Sequence, residues 1–146
     1  MVARAPVARD SRPVPGRHVF TYGSLMFPEV WTRVVRGAYR PLPARVTGYA
    51  RHGVRAETYP GALAAPGALL EGVLWLDVGA DDLARLDRFE GPDYQRIAVR
   101  ASGADARARA AVMYLYLPVE RLEAVPWRPE AFDLATFLRT YGGGVP

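Results

Sequence analysis

The 146-residue chain has no cysteine, no lysine and only two histidines. Each absence removes a class of chemistry. Without cysteine there is no disulfide framework, no thiolate nucleophile and no thiolate-ligated zinc or iron–sulfur centre. Two histidines, His18 and His52, are too few donors for a transition-metal site. Without lysine, no glycine-rich stretch is followed by the basic residue that a phosphate loop requires. No apolar run approaches the roughly 20 residues of a membrane-spanning helix. The opening stretch MVARAPVARDSRPVPGR has three prolines and no continuous apolar core of the signal-peptide kind. These features predict a soluble, cytoplasmic protein without a metal site or membrane association.

Basic charge is abundant, and all of it is arginine: 19 arginines stand against 15 carboxylates. The sequence pI of about 9.8 would fit a nucleic-acid binder, but the placement argues against one. Arg4, Arg9, Arg12 and Arg17 face a single Asp10 in the first 17 residues, a local excess of three. The rest of the chain carries 15 arginines against 14 carboxylates. A nucleic-acid footprint concentrates charge on a folded face, whereas this excess sits in a Pro-rich stretch. Residues 1–17 are therefore expected to form a disordered tail, and residues 18–146 a single domain.

Within that domain the apolar pattern alternates between strand and helix. A strand is predicted over 19–22, then a helix over 28–36 opened by Pro28 and Glu29 and ended by Gly37. Residues 43–50 alternate as a strand with Gly48 as a bulge, and 54–59 read as a further short strand. The segment PGALAAPGA, 60–68, reads as turn. LLEGVLWLDV, 69–78, is the clearest strand, with Gly72 marking a close approach of backbone. A helix over 80–89, capped by Asp81 or Asp82 and stopped by Gly91-Pro92, precedes two strands, 94–101 and 109–117. An amphipathic helix over 129–141 ends at Gly142, Gly143 and Gly144. This order is mixed α/β with one curved or closed sheet of about six strands and flanking helices, not a regular βαβ alternation.

Candidate chemistry narrows quickly. Ser24 sits at a strand-to-helix break, but Tyr22 and Met26 occupy the two positions where a nucleophile elbow needs glycine. Glu90 is different. It closes the 80–89 helix after Phe89 and is followed by Gly91, Pro92 and Tyr94. The negative end of the helix dipole and aromatic neighbours both favour its protonated form. From these features Glu90 is either an ordinary exposed helix-end residue or a base tuned toward neutral pH.

The motifs FTYGSLM, TYPGAL and LDRFEGPDYQR, followed by the aromatic strand MYLY, occur in an order and spacing that resemble the γ-glutamylcyclotransferase superfamily. The likeness runs from about residue 18 to 137. It is greatest to the branch of avirulence-induced-gene proteins and γ-glutamylamine cyclotransferases. The resemblance implies a barrel-like mixed α/β fold, release of 5-oxoproline from a small γ-glutamyl amine or peptide, and no cofactor. It further implies that Tyr22, Gly23, Ser24 and Leu25 bind the glutamyl moiety and that Glu90 is catalytic. Tyr59, Tyr94 and Tyr114 are implied to line or support the pocket. Enzymes acting on γ-glutamyl amino acids usually read Tyr-Gly-Ser-Asn where this chain has Leu25, which leaves the leaving amine open. Two alternatives stand beside that reading. One is a non-catalytic domain that binds a small metabolite in the same cavity, and the other an interaction module driven by the Arg-rich tail.

Overall fold

The computed structural model describes residues 16–141. The expected tail lies outside the described residues as far as residue 15, and so do Gly142, Gly143 and Gly144. Six strands are present: β1 (Arg17–Thr21), β2 (Pro41–Val54), β3 (Pro60–Val78), β4 (Tyr94–Gly103), β5 (Ala108–Tyr116) and β6 (Leu122–Pro126). Three α-helices accompany them: α1 (Pro28–Val34), α2 (Ala80–Glu90) and α3 (Leu134–Tyr141). Strands β1 to β5 close on themselves. β3 pairs with both β1 and β2, β2 with β4, β4 with β5, and β5 returns to β1 in the single parallel pairing of the sheet. The result is a five-stranded barrel with β6 added to the far half of β2.

Closure gives the alternating strands two buried faces. Phe20, Tyr22, Val46, Leu70, Leu74 and Met113 fill the barrel. On the outside, Val19, Trp75 and Val112 meet Val30, Trp31 and Val34 of α1, Leu83 and Leu86 of α2 and Phe137 of α3. Trp31 stacks flat on Trp75, with ring centroids 4.3 Å apart. Gly72 is the close approach anticipated from its place in a strand: a Cβ there would strike the Thr21 carbonyl and the Phe20 ring. The bulge at Gly48 is present too, with φ at +93° and a register shift between Thr47 and Tyr49.

Four local expectations need correction. Residues 54–59 do not form a strand; after Val54 the chain turns, with Glu57 N–H donating to the Val54 carbonyl at 3.0 Å. Residues 60–68 are not a turn but the first part of β3. Their Pro66-Gly67 signal does bend the chain, as a kink in a strand: residues 65–68 lie unpaired opposite Gly48, between the Tyr49↔Ala64 and Thr47↔Leu69 pairs. The final helix starts at Leu134 rather than Pro129, because the Asp133 carboxylate accepts from Thr136 N–H (3.0 Å) and so opens the helix there. Residues Pro129–Ala131 make only a single 3-10 turn. Finally, neither Asp81 nor Asp82 caps α2, whose N-cap is Gly79. Asp82 instead turns back to accept from the amides of Arg36 and Gly37, both at 2.9 Å, and from the Tyr39 hydroxyl at 2.6 Å. Strand β6 carries no alternation that would have revealed it; four of its five residues are exposed.

Candidate active site

At one end of the barrel, β1 runs out, β3 and β4 begin, and α2 stops. The backbone leaves β1 at Thr21 and passes through Tyr22 and Gly23 into a one-turn 3-10 helix, Ser24–Met26. Met26 N–H donates to the Gly23 carbonyl (3.0 Å) and Phe27 N–H to that of Ser24 (3.1 Å). The amides of Gly23, Ser24 and Leu25 precede that ladder and meet no acceptor among the described residues. Trp75 Nε1–H holds the Leu25 carbonyl at 3.2 Å, tying the loop to β3.

Opposite this loop stands Glu90, the last residue of α2. Gly91, with φ at +81°, ends the helix there and donates its N–H to the Asp87 carbonyl. One turn earlier, on the same helix face, Asp87 accepts the Tyr114 hydroxyl at 2.6 Å, tying the end of α2 to β5. Glu90 is thus presented from a fixed helix end. Its half-buried carboxyl has neither an ion-pair partner nor a hydrogen bond among the described residues. Burial alone pushes its pKa up to about 8. Its charge in turn is felt by the phenols of Tyr22, Tyr94 and Tyr114, whose pKa values rise first through burial and then through proximity to Glu90, with an Asp87 bond intervening for Tyr114.

Between loop and carboxylate lies a narrow cleft of about 20 Å³, lined by Tyr22, Gly23, Ser24, Leu25, Tyr59, Glu90, Tyr94 and Tyr114 among others. It adjoins an outer chamber of about 230 Å³, with Ser24, Tyr59, Glu90 and Tyr94 on both walls. Phe89, Pro92, Asp93 and Phe137 complete that chamber. All eight residues named from the sequence therefore come together in one place. They do so in different ways. The Tyr22 hydroxyl is spent inside the barrel, donating to the Tyr114 carbonyl (2.6 Å) and accepting from Ala62 N–H (3.1 Å). Tyr94 donates to the Pro60 carbonyl at 2.7 Å. The phenols of Tyr22, Tyr94 and Tyr114 therefore brace the walls, whereas the amides of Gly23, Ser24 and Leu25 and the carboxyl of Glu90, all residues that line the cleft, have no partner among the described residues.

A family model for gamma-glutamyl cyclotransferase, AIG2-like, matches residues 19–130. The chain belongs to this family. Among its AIG2-like relatives is protein AIG2 C of Arabidopsis thaliana, 29% identical over 82 residues, which are 56% of this chain and 50% of the relative. The matched stretches span about half the length of the curated relatives, from 45% to 58%. The solution structure of At3g28950.1 from Arabidopsis thaliana shares the fold, with a TM-score of 0.70 at 23% identity, over 92% of this chain and 84% of that one. A solved structure of a gamma-glutamyl cyclotransferase gives a TM-score of 0.64 at 20% identity, over 87% of this chain and 80% of that one.

Several residues of this AIG2-like site escaped the sequence reading. Asp87 had a signal, since it lies three residues before Glu90 and so shares its helix face. Phe89, Pro92 and Asp93 flank Glu90 in the chain and were legible only as neighbours. Phe137 and Pro60 reach the site through the fold, which no local pattern discloses.

Proposed function

We propose that this chain converts a small γ-glutamyl amine or peptide to 5-oxoproline and the free amine, with Glu90 as general acid and base. The observation that carries the reading is a burial-tuned carboxyl lining one cleft with three residues whose backbone amides, like it, have no partner among the described residues. The substrate's α-carboxylate, and the oxyanion that forms at its γ-carbonyl, are anions suited to those amides. With the carboxylate seated in the cleft, the γ-amide lies at the junction beside Glu90, and the outer chamber takes the leaving amine.

Glu90 in its ionised form removes a proton from the substrate α-ammonium. The freed amine attacks the γ-carbonyl carbon of the same molecule, forming the ring C–N bond and a tetrahedral oxyanion. As that oxyanion collapses, the bond to the leaving nitrogen breaks, and Glu90 delivers the proton to that nitrogen. Two protons pass in all from the attacking amine to the departing one, so the products are the neutral lactam nitrogen and an alkylammonium. Attack within one molecule needs no enzyme nucleophile. Holding the folded conformer supplies orientation worth several kcal/mol. A carboxyl with a pKa of about 8 both accepts and returns a proton near neutral pH.

The test is a panel of γ-glutamyl amines, γ-glutamyl dipeptides and glutathione, followed by chromatographic detection of 5-oxoproline. Release that is lost in Glu90→Gln supports the reading. Saturable binding of a panel member without release would instead make the cavity a metabolite-binding site, the second reading of the sequence.

A further inference from the structure

Arg51 lies on β2 and lines neither cavity, yet its side chain reaches the candidate site from behind. Its Nη1 donates to the Tyr22 carbonyl at 2.7 Å and to the Glu71 carbonyl at 3.2 Å, crossing β3 to the end of β1. The Trp127 ring lies against the guanidinium, 5.3 Å from Cζ to the ring centroid. Trp127 is itself held by donating Nε1–H to the Thr58 carbonyl at 2.9 Å, next to Tyr59 of the cleft. Glu130 and Glu71 are the carboxylates near enough to favour its charge, against the burial that opposes it. A half-buried arginine with this many fixed contacts costs desolvation and side-chain entropy. Its placement therefore asks for a reason.

The reason lies in the peptide unit it holds. The ladder between β1 and β3 ends at Thr21↔Val73, so the next carbonyl, that of Tyr22, has no strand partner. In a planar trans peptide, the C=O and the following N–H point in opposite directions. Fixing the Tyr22 carbonyl toward β2 therefore fixes the Gly23 N–H the other way, toward the cleft that Gly23 lines. Glycine at 23 has no side chain to restrict rotation of that peptide, and a Cβ there would meet the Pro60 ring at 2.9 Å. The loop therefore depends on an outside contact for its orientation. We propose that Arg51 is a positioning residue that locks the Tyr22–Gly23 peptide so that its N–H faces the cleft as a ready anion donor. This rests on the reading that the loop amides receive the glutamyl group.

The test uses the full chain, ¹⁵N-labelled, titrated with 5-oxoproline and followed at the Gly23, Ser24 and Leu25 amides. Wild type, Arg51→Met, Arg51→Lys and the strand-matched control Arg45→Met are compared, each with its thermal unfolding midpoint. The expected result is a Kd at least tenfold weaker in Arg51→Met, with the Gly23 amide response lost first. Arg51→Lys, which keeps a cationic donor for the Tyr22 carbonyl, recovers most of the affinity, and Arg45→Met matches wild type. If Arg51→Met fails to fold, the lysine variant decides: it must retain the Gly23 response. Equal affinity in wild type and Arg51→Met, or a loss in Arg51→Lys as large as in Arg51→Met, overturns the role of Arg51 and leaves the cyclotransferase reading intact. Absence of any loop response in wild type overturns both. Loop binding that depends on Arg51 in a protein that releases no 5-oxoproline sustains Arg51 and defeats the catalytic reading.

Discussion

Glu90 keeps its proton to about pH 8 because burial opposes its charge and no cation among the described residues offsets that penalty. The group useful for proton transfer is therefore a burden on folding. The folded protein holds a proton between pH 4.5, the ordinary value, and about 8, where the unfolded chain has lost it. Stability consequently falls as pH rises through that window and levels off above it. Glu90→Gln removes the dependence. The variant is expected to match wild type near pH 4.5 and to exceed it above pH 8 by on the order of 2–4 kcal/mol, the roughly 5 kcal/mol of the full shift being reduced by solvent screening at this partly exposed site. Urea unfolding at several pH values measures this, and an advantage that does not grow with pH would contradict the burial argument. Glu90 was legible in part: local features left it either an exposed helix-end residue or a tuned base, and of the two reasons offered for a raised pKa only desolvation has a counterpart in the fold. The roles of Tyr22, Tyr94 and Tyr114 were not legible. A tyrosine beside a cleft reads the same whether its hydroxyl faces the cleft or a carbonyl behind it.

At the scale of elements, the site depends on where α2 is held, and both of its ends are pinned by carboxylates. Asp87 anchors the end that carries Glu90, through Tyr114. Asp82 anchors the other end to the chain after α1. Burial would raise the Asp82 pKa, but the Tyr39 hydroxyl, the amides of Gly37 and Arg36 and the Arg85 guanidinium outweigh it and hold it down to about 2. That stability is present above the ordinary value of 3.8 and is lost as pH falls toward 2. Asp82→Asn is expected to cost about 2–3 kcal/mol at pH 7 and to abolish this acid limb between pH 4 and 2. Denaturant unfolding across that range checks it, and an unchanged acid limb would show that Asp82 does not carry it. Sequence reasoning found α2 and its acidic first turn but took the acids for caps. The clamp joins positions 36–39 to 82, a separation that helix-end signals do not register. The same limit explains the 60–68 segment, where a Pro-Gly pair marked a kink in a paired strand rather than the end of one.

Across the whole molecule, barrel closure brings the motifs into one cleft. Tyr22 is the brace at the open end. From the end of β1 its hydroxyl reaches Ala62 on β3 and the Tyr114 carbonyl on β5, joining three strands where the ladders thin out. Tyr22→Phe leaves a buried donor and a buried acceptor unpaired, at an expected cost of about 2–4 kcal/mol. A lowered urea midpoint with an unchanged m-value is the expected signature, and full wild-type stability would contradict the brace. Fold class and five of the six strands were legible from the alternation of apolar patterns; the expected total of about six was reached only because 54–59 was counted and β6 was missed. Closure was foreshadowed only by mid-strand glycines such as Gly48 and Gly72. The partner of each strand, and the edge strand β6 with its exposed residues, follow from long-range pairing that local patterns do not encode.

The most direct measurement is 5-oxoproline release from a γ-glutamyl panel by wild type and Glu90→Gln, from pH 6 to 9. The account predicts release by wild type that rises about tenfold per pH unit below pH 8 and levels above it. In Glu90→Gln it predicts a rate lower by roughly 10²–10⁴-fold, with substrate binding kept. Release by Glu90→Gln at the wild-type rate would contradict the central claim.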